Sequence, residues 1–168
     1  VEEAAQRITR ERGAFRADQF HHAGNFRAHY LHTGPEILAQ AGCRIDAFCD
    51  FAGTGGSFAG CAACFKERDP AVKCYVVEPD NPQHRIQGGG YSMPELPLLR
   101  RELVDGTLVV SDEEAMAAAR RLAREEGIFA GFSSGANVAA ALRLLPGRTL
   151  VTLINDSGLK YLSTDLWP

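Results

Sequence analysis

Residues 45–60, IDAFCDFAGTGGSFAG, restrict the possible folds of this chain more than any other stretch. The segment 45–51 is apolar on both faces, which suits a strand buried inside a parallel sheet. The segment 57–68 reads as a helix, and Gly53, Thr54, Gly55, Gly56 and Ser57 join the two. A strand that passes through a tight loop into a helix belongs to a right-handed βαβ crossover, so the next strand runs parallel to the first. The loop also suits an anion. Glycine lets the backbone approach without a Cβ in the way, and its freedom at φ > 0 lets successive N–H groups converge. The following helix adds unpaired amides and a dipole worth roughly 0.3–1 kcal/mol per charge, and Thr54 and Ser57 add hydroxyls. The same glycines would also serve a tight turn of purely steric purpose. The strand–loop–helix context favours phosphate. A dinucleotide fingerprint counted from Gly53 places Phe58 where its last glycine should stand. A triphosphate loop needs a Gly-Lys-Ser/Thr ending, and no lysine precedes Lys66. What remains is a cradle for a single phosphate.

The rest of the chain repeats the strand–helix alternation. Residues 2–12 have helical periodicity and stop at Gly13. Segments 25–31 and 35–40 read as helices, with Thr33 as cap and Pro35 in the first turn of the second. Strands are expected over 72–77, 107–110 and 149–154, the last buried by its Leu-Val-Thr-Leu-Ile pattern. A Gly- and Pro-rich loop spans 78–97, and a short helix follows within 98–104. Ser111 and Glu114 form a capping box for a helix running to Glu126, with Gly127 beyond it. Ser133 or Ser134 opens a further helix to Leu145. The fold class is therefore α/β, a parallel twisted sheet with helices on both faces.

Composition narrows the function. At 168 residues the chain is one domain or most of one, and 45% hydrophobic residues is ordinary for a globular protein. A net charge of −3 argues against a nucleic-acid surface, and no apolar run reaches the ~18 residues of a membrane span. Five cysteines do not suggest a disulfide framework. Cys61 and Cys64 form an isolated Cys-x-x-Cys without the second half of a zinc site and read as small helix-packing residues. Cys43, Cys49 and Cys74 read as core, and a reducing, cytoplasmic home fits. His21, His22, His29 and His32 crowd together without a carboxylate or thiolate at ligand spacing, so no metal is expected. Arg100-Arg101 and Arg120-Arg121 read as solvated helix faces.

Gly53-Thr54-Gly55-Gly56-Ser57 resembles the phosphate loop of the fold-type II pyridoxal phosphate enzymes, close to cysteine synthase and cystathionine β-synthase. Further blocks are similar in the same order: Gln19-Phe20, Asn25, His29 and Thr33-Gly34-Pro35-Glu36-Ile37; Val77-Glu78-Pro79; Arg85-Ile86-Gln87-Gly88-Gly89-Gly90; 125–136; and 156–164. The resemblance runs from Gln19 to Thr164. It implies the tryptophan synthase β-like fold, in part, with the chain as the carboxy-terminal portion of a longer enzyme, mostly its large cofactor-binding domain, and 79–97 as a loop.

The resemblance also implies the chemistry. Pyridoxal 5′-phosphate would be the cofactor, its phosphate held by Gly53, Thr54, Gly55, Gly56 and Ser57 and its ring nitrogen met by Ser133. Asp156 is a rival for that nitrogen. A neutral hydroxyl there leaves the ring a weaker electron sink than a carboxylate would, which suits loss of a β-leaving group. Gln19 and Gly88 would border the substrate. The implied reaction is β-replacement on a serine-type amino acid through an aminoacrylate intermediate, with a thiol or other nucleophile as second substrate and a homodimer as the usual assembly. A β-eliminating lyase (dehydratase or desulfhydrase) and a non-catalytic interaction domain are the alternatives. The family's cofactor lysine has no match among Lys66, Lys73 and Lys160, which read as solvated charges. No catalytic residue is therefore assigned within the chain, and the lysine is expected upstream.

Overall fold

The computed structural model describes residues 2–89, 95–144 and 146–167. Four strands, β1 (Ala47–Phe51), β2 (Lys73–Pro79), β3 (Gly106–Val110) and β4 (Leu150–Thr152), form one sheet in the order β3-β2-β1-β4. Every pairing is parallel, with Phe48 opposite Cys74 and Val151, and Val77 opposite Leu108. β1 is buried at every position, as its two-sided apolar pattern requires. β4 is shorter than expected and only half-buried, because it lies at the open edge of these four strands.

Helices cover both faces. On one face α5 (Asp112–Glu126) and α6 (Phe132–Leu144) bury Ala115, Ala119, Phe132, Ala136 and Ala140 against Cys49, Phe51 and Val77 of the sheet. On the other, α4 (Gly56–Arg68) buries Phe58, Cys61, Ala62 and Phe65 against Phe48, Cys74 and Val76. Phe48 stacks on Phe58 at 5.8 Å and meets Phe65 edge-on at 5.3 Å, the offset and T-shaped geometries that aromatic quadrupoles favour. Small residues allow close approach: a Cβ on Gly135 would strike Ala119 and the Ala115 carbonyl, so α5 and α6 touch nearly backbone to backbone.

Local signals account for most helix ends. The Ser111 Oγ accepts from Glu114 N at 3.2 Å and the Glu114 carboxylate accepts from Ser111 N at 2.9 Å, the expected reciprocal cap. Gly127 ends α5 in the left-handed region at φ 72°. α1 (Glu2–Arg12) ends before Gly13, also left-handed. Two readings change in the next segment. α2 (Gly24–Ala28) and α3 (Gly34–Ala41) are one rod joined by a π-helical stretch, His29–Thr33. Thr33 is itself helical and caps nothing; its hydroxyl lies 3.1 Å from His29 Nδ1. The expected helix within 98–104 shrinks to a single 3₁₀ turn, Arg101–Leu103, and Leu145 at the expected end of α6 lies outside the described residues.

Some charged and thiol residues are also placed differently. Lys66 is only 20% exposed and, with Lys73, clasps Asp105, whose carboxyl these hydrogen bonds hold down near 2 against its burial. Arg120 donates to the carbonyls of Asp165 and Leu166, and the Arg100 guanidinium sits 4.0 Å over the Phe26 ring. Cys43 is exposed rather than core, whereas Cys49, Cys61 and Cys74 are buried; none of the five is bridged.

Candidate functional site

The strand order contains a switch point. From β1 the chain steps outward to β2 and β3, then returns to place β4 on the far side of β1. Loops leaving the carboxyl ends of β1 and β4 therefore diverge and leave a crevice, where open α/β sheets bind their ligands. The loop leaving β1 is Ala52–Gly55, followed directly by α4.

This loop is built without slack. Gly55 has φ 82°, and a Cβ on it would lie 2.8 Å from the Leu99 Cβ. A Cβ on Gly53 would lie 2.6 Å from the Gly88 carbonyl oxygen, and one on Gly56 would collide with the Asn25 amide. Packing against neighbouring chain thus requires these glycines, in addition to any role with an anion. Thr54 Oγ1 accepts from Gly56 N at 3.2 Å and from Asn25 Nδ2 at 2.9 Å, so its own O–H can point away from both. The Ser57 N–H, in the first turn of α4, has no intrahelical acceptor and is given no side-chain acceptor among the described residues.

The other expected site residues converge on the loop to different degrees. Gly88, at φ 115°, links loop and helix: its carbonyl faces Gly53, and a Cβ on it would come within 3.4 Å of the Ser133 Oγ. Gly89 is packed as tightly against Ala52 and Gly53. Ser133, largely buried in the first turn of α6, therefore stands one residue's width from the loop, and its hydroxyl makes no side-chain hydrogen bond among the described residues. Its neighbour Ser134 accepts from Asn155 N at 2.9 Å. Gln19 is exposed and joins the site by its backbone, its carbonyl accepting from Asn25 Nδ2 at 2.7 Å. A cleft of about 420 Å³ is lined by His84, Arg85, Gln87, Phe132, Thr164 and Asp165; neither Gly88 nor Ser133 is among its lining residues.

Asp156 occupies the corner after β4. Its Oδ2 accepts from the Tyr161 hydroxyl at 2.6 Å and from Lys160 at 3.4 Å, while the buried Oδ1 has no partner among the described residues. This corner is sewn to the start of α6 by Gly131 N to the Asp156 carbonyl, Gly158 N to the Phe129 carbonyl, and an isolated bridge between Ala130 and Ser157.

Beneath the loop lies a cluster that sequence reasoning did not assign. Asp50 on β1 is fully buried; its Oδ2 accepts from the Ser57 hydroxyl at 2.6 Å and its Oδ1 from Asn137 Nδ2 at 3.1 Å. Asn137 Nδ2 also lies 2.9 Å from the Leu153 carbonyl and 3.2 Å from Asn155 Oδ1, tying α6 to both sides of the crevice. Burial pushes the Asp50 carboxyl up to about 6, against the opposing pull of Ser57 and Asn137. The Ser57 hydroxyl, expected to face the anion, thus donates inward here. Asn25 is the third unassigned residue, since it fastens Gln19 to Thr54.

Among the described residues no group of His, Cys, Asp and Glu could hold a metal ion, and no helix is long and apolar enough to cross a membrane. His29 pairs with Thr33, His21 lies against Asp18, and His22 accepts from Gly24 N.

Residues 1–156 match the family model described as pyridoxal-phosphate dependent enzyme. The chain is 37% identical to a cysteine synthase of Staphylococcus aureus (strain N315) over 178 aligned positions, covering 97% of the chain and 57% of the relative. Among solved structures, O-ureido-L-serine synthase superposes with a TM-score of 0.90 at 36% identity, covering 98% of this chain and 56% of that one. A hydrogen sulfide-producing enzyme of Fusobacterium nucleatum superposes with a TM-score of 0.89 at 36% identity, over 96% and 59%. The chain thus spans a little under three-fifths of the length of each of these proteins.

Proposed function

Because the chain belongs to the pyridoxal-phosphate dependent enzyme family, we propose that it is the cofactor-phosphate half of an enzyme catalysing β-replacement on a serine-type amino acid. The observation that carries this reading is the alignment of three elements across one crevice. The Gly53–Ser57 turn and the buried Ser133 hydroxyl are held within a residue of each other by Gly88. In this reading the amides of Gly55, Gly56 and Ser57 and the Thr54 hydroxyl take the phosphate oxygens. Ser133 donates to or accepts from the ring nitrogen. Gly88 and Gln19 border the amino-acid substrate. Bound there, pyridoxal phosphate supplies the electron sink that weakens bonds at the substrate's α carbon. The fit is supported by geometry: first-turn amides at the α4 N-terminus suit a dianion, and the Ser133 hydroxyl lies near the same turn with no side-chain hydrogen bond among the described residues.

Asp156 supports a second reading of the ring-nitrogen contact, since its buried Oδ1 lacks a partner among the described residues. A carboxylate would hold that nitrogen protonated, whereas Ser133 would not. The similar proteins differ in what they make: one is a cysteine synthase, one an O-ureido-L-serine synthase and one produces hydrogen sulfide. A sulfur nucleophile is the acceptor supported here, with β-elimination as the alternative. Homodimeric assembly and a cytoplasmic location belong to the same proposal.

Borohydride reduction of the full-length protein, followed by peptide mapping, tests this reading. The pyridoxyl group is expected on a lysine outside Val1–Pro168. Attachment to Lys66, Lys73 or Lys160, or a protein without a reducible chromophore, contradicts it. Incubation with O-acetylserine with and without sulfide separates the two reactions, because only elimination releases amine when no acceptor is present.

A further inference from the structure

Asp50 is the one carboxyl in a buried polar cluster under the Gly53–Ser57 turn, taking hydrogen bonds from Ser57, Asn137, Asn155 and the Phe51 backbone. Asn137 Nδ2 has two hydrogens and three acceptors: Asp50 Oδ1, the Leu153 carbonyl and Asn155 Oδ1. Asn137 Oδ1 is a further buried acceptor with no donor among the described residues. Ser57 offers one hydrogen and spends it on Asp50 Oδ2. Asp50 is thus a fully buried carboxyl with no ion-pair partner among the described residues, hydrogen-bonded to the one hydroxyl that closes the Gly53–Ser57 turn and directly below that turn.

We propose, building on the phosphate-site reading above, that Asp50 is a positioning residue that takes up one proton when phosphate enters the Gly53–Ser57 turn. A proton from solvent adds to Asp50 Oδ2. The new O–H donates to the Ser57 Oγ, and the Ser57 O–H, released from the carboxylate, turns outward to a phosphate oxygen. One proton is bound per phosphate, and no covalent bond between heavy atoms changes. An ionised Asp50 would instead hold the Ser57 hydrogen inward and repel the dianion across a buried, weakly screened path. Among the described groups facing Asp50, none other is placed to take this proton. From α4 these are Ser57 and Cys61, from α6 Asn137, from the segment after β4 Asn155, and from β1 itself Cys49. Burial pushes the Cys61 and Cys49 thiols up to about 12 and about 11, so both stay neutral. The carboxyl itself, raised to about 6, needs little more to hold a proton at neutral pH.

The test uses the full-length protein stripped of cofactor and titrated calorimetrically with pyridoxine 5′-phosphate, whose alcohol cannot form an imine. Runs between pH 7 and 8.5 keep the ligand phosphate dianionic, and buffers of different ionisation enthalpy report proton uptake. The ligand's own titrations occur equally in wild type and in Asp50→Asn, whose amide donates to Ser57 permanently. Wild-type affinity should fall more steeply with pH than the variant's, by up to about tenfold per pH unit, with uptake higher by up to one proton. Equal slopes and equal uptake in two proteins that both bind would overturn the proposal. Absence of binding in both would instead remove the phosphate reading on which it stands. Should Asp50→Asn fail to fold, infrared difference spectra of wild type decide: a protonated-carboxyl band must rise on ligand binding at pH 7.5, and its absence overturns the proposal.

Discussion

Replacing Asp50 by Asn should change how the protein's stability depends on pH, even with no ligand present. The carboxyl is fully buried and titrates near 6 when folded, against an ordinary 3.8. Below 3.8 both folded and unfolded chains hold the proton, and Asp50 costs nothing through ionisation. Between the two values the folded chain keeps a proton that the unfolded chain has released, so stability falls as pH rises. Above 6 the full penalty applies. The difference of about two units corresponds to about 3 kcal/mol, of which about 2 kcal/mol develops between pH 4.5 and 7.5. Asn matches Asp in shape, can accept from Asn137 and donate to Ser57, and does not ionise. Urea unfolding of full-length wild type and Asp50→Asn at those two pH values isolates the residue, since every other titration is common to both. The variant should gain about 2 kcal/mol relative to wild type on going from the lower to the higher pH. An unchanged difference, or one that moves the other way, would refute the account of Asp50 as a carboxyl destabilised by burial.

Gly55→Ala places a Cβ in a left-handed backbone and 2.8 Å from the Leu99 Cβ. Left-handed strain of about 1–2 kcal/mol and overpacking of about 1–3 kcal/mol should together lower the urea midpoint markedly; a variant within about 0.5 kcal/mol of wild type would show that the turn is not held as described. Thiol alkylation of the native protein followed by mass mapping should label the exposed Cys43 first and the half-buried Cys64 more slowly. Cys49, Cys61 and Cys74 should react only on unfolding, because burial disfavours their thiolates; prompt labelling of any of them would contradict the packing of the sheet.

The sheet was legible because its signals are local. Apolar runs on two faces marked β1, and the Ser111–Glu114 box and Gly127 marked both ends of α5. β4 misled because Leu-Val-Thr-Leu-Ile carries no information about which neighbour the strand lacks on its outer side. The rod from Gly24 to Ala41 reads in sequence as two helices because Thr33 and Pro35 are strong start signals, yet a π-helical turn absorbs the mismatch. At the site, loop glycines and serines stand out by type and spacing. The support beneath them does not, since Asp50 and Asn137 lie 87 positions apart and meet only through the fold. One sign was present: a lone carboxylate within an otherwise apolar strand, Ala47–Phe51, directly before the glycine turn. A charge in such a place is costly unless it is paired or protonated.

A crystal structure of the full-length protein with pyridoxal 5′-phosphate tests the central claim most directly. The phosphorus should lie against the amides of Gly55, Gly56 and Ser57, with the ring nitrogen within hydrogen-bond reach of the Ser133 hydroxyl. A cofactor phosphate seated anywhere other than this turn would contradict the account.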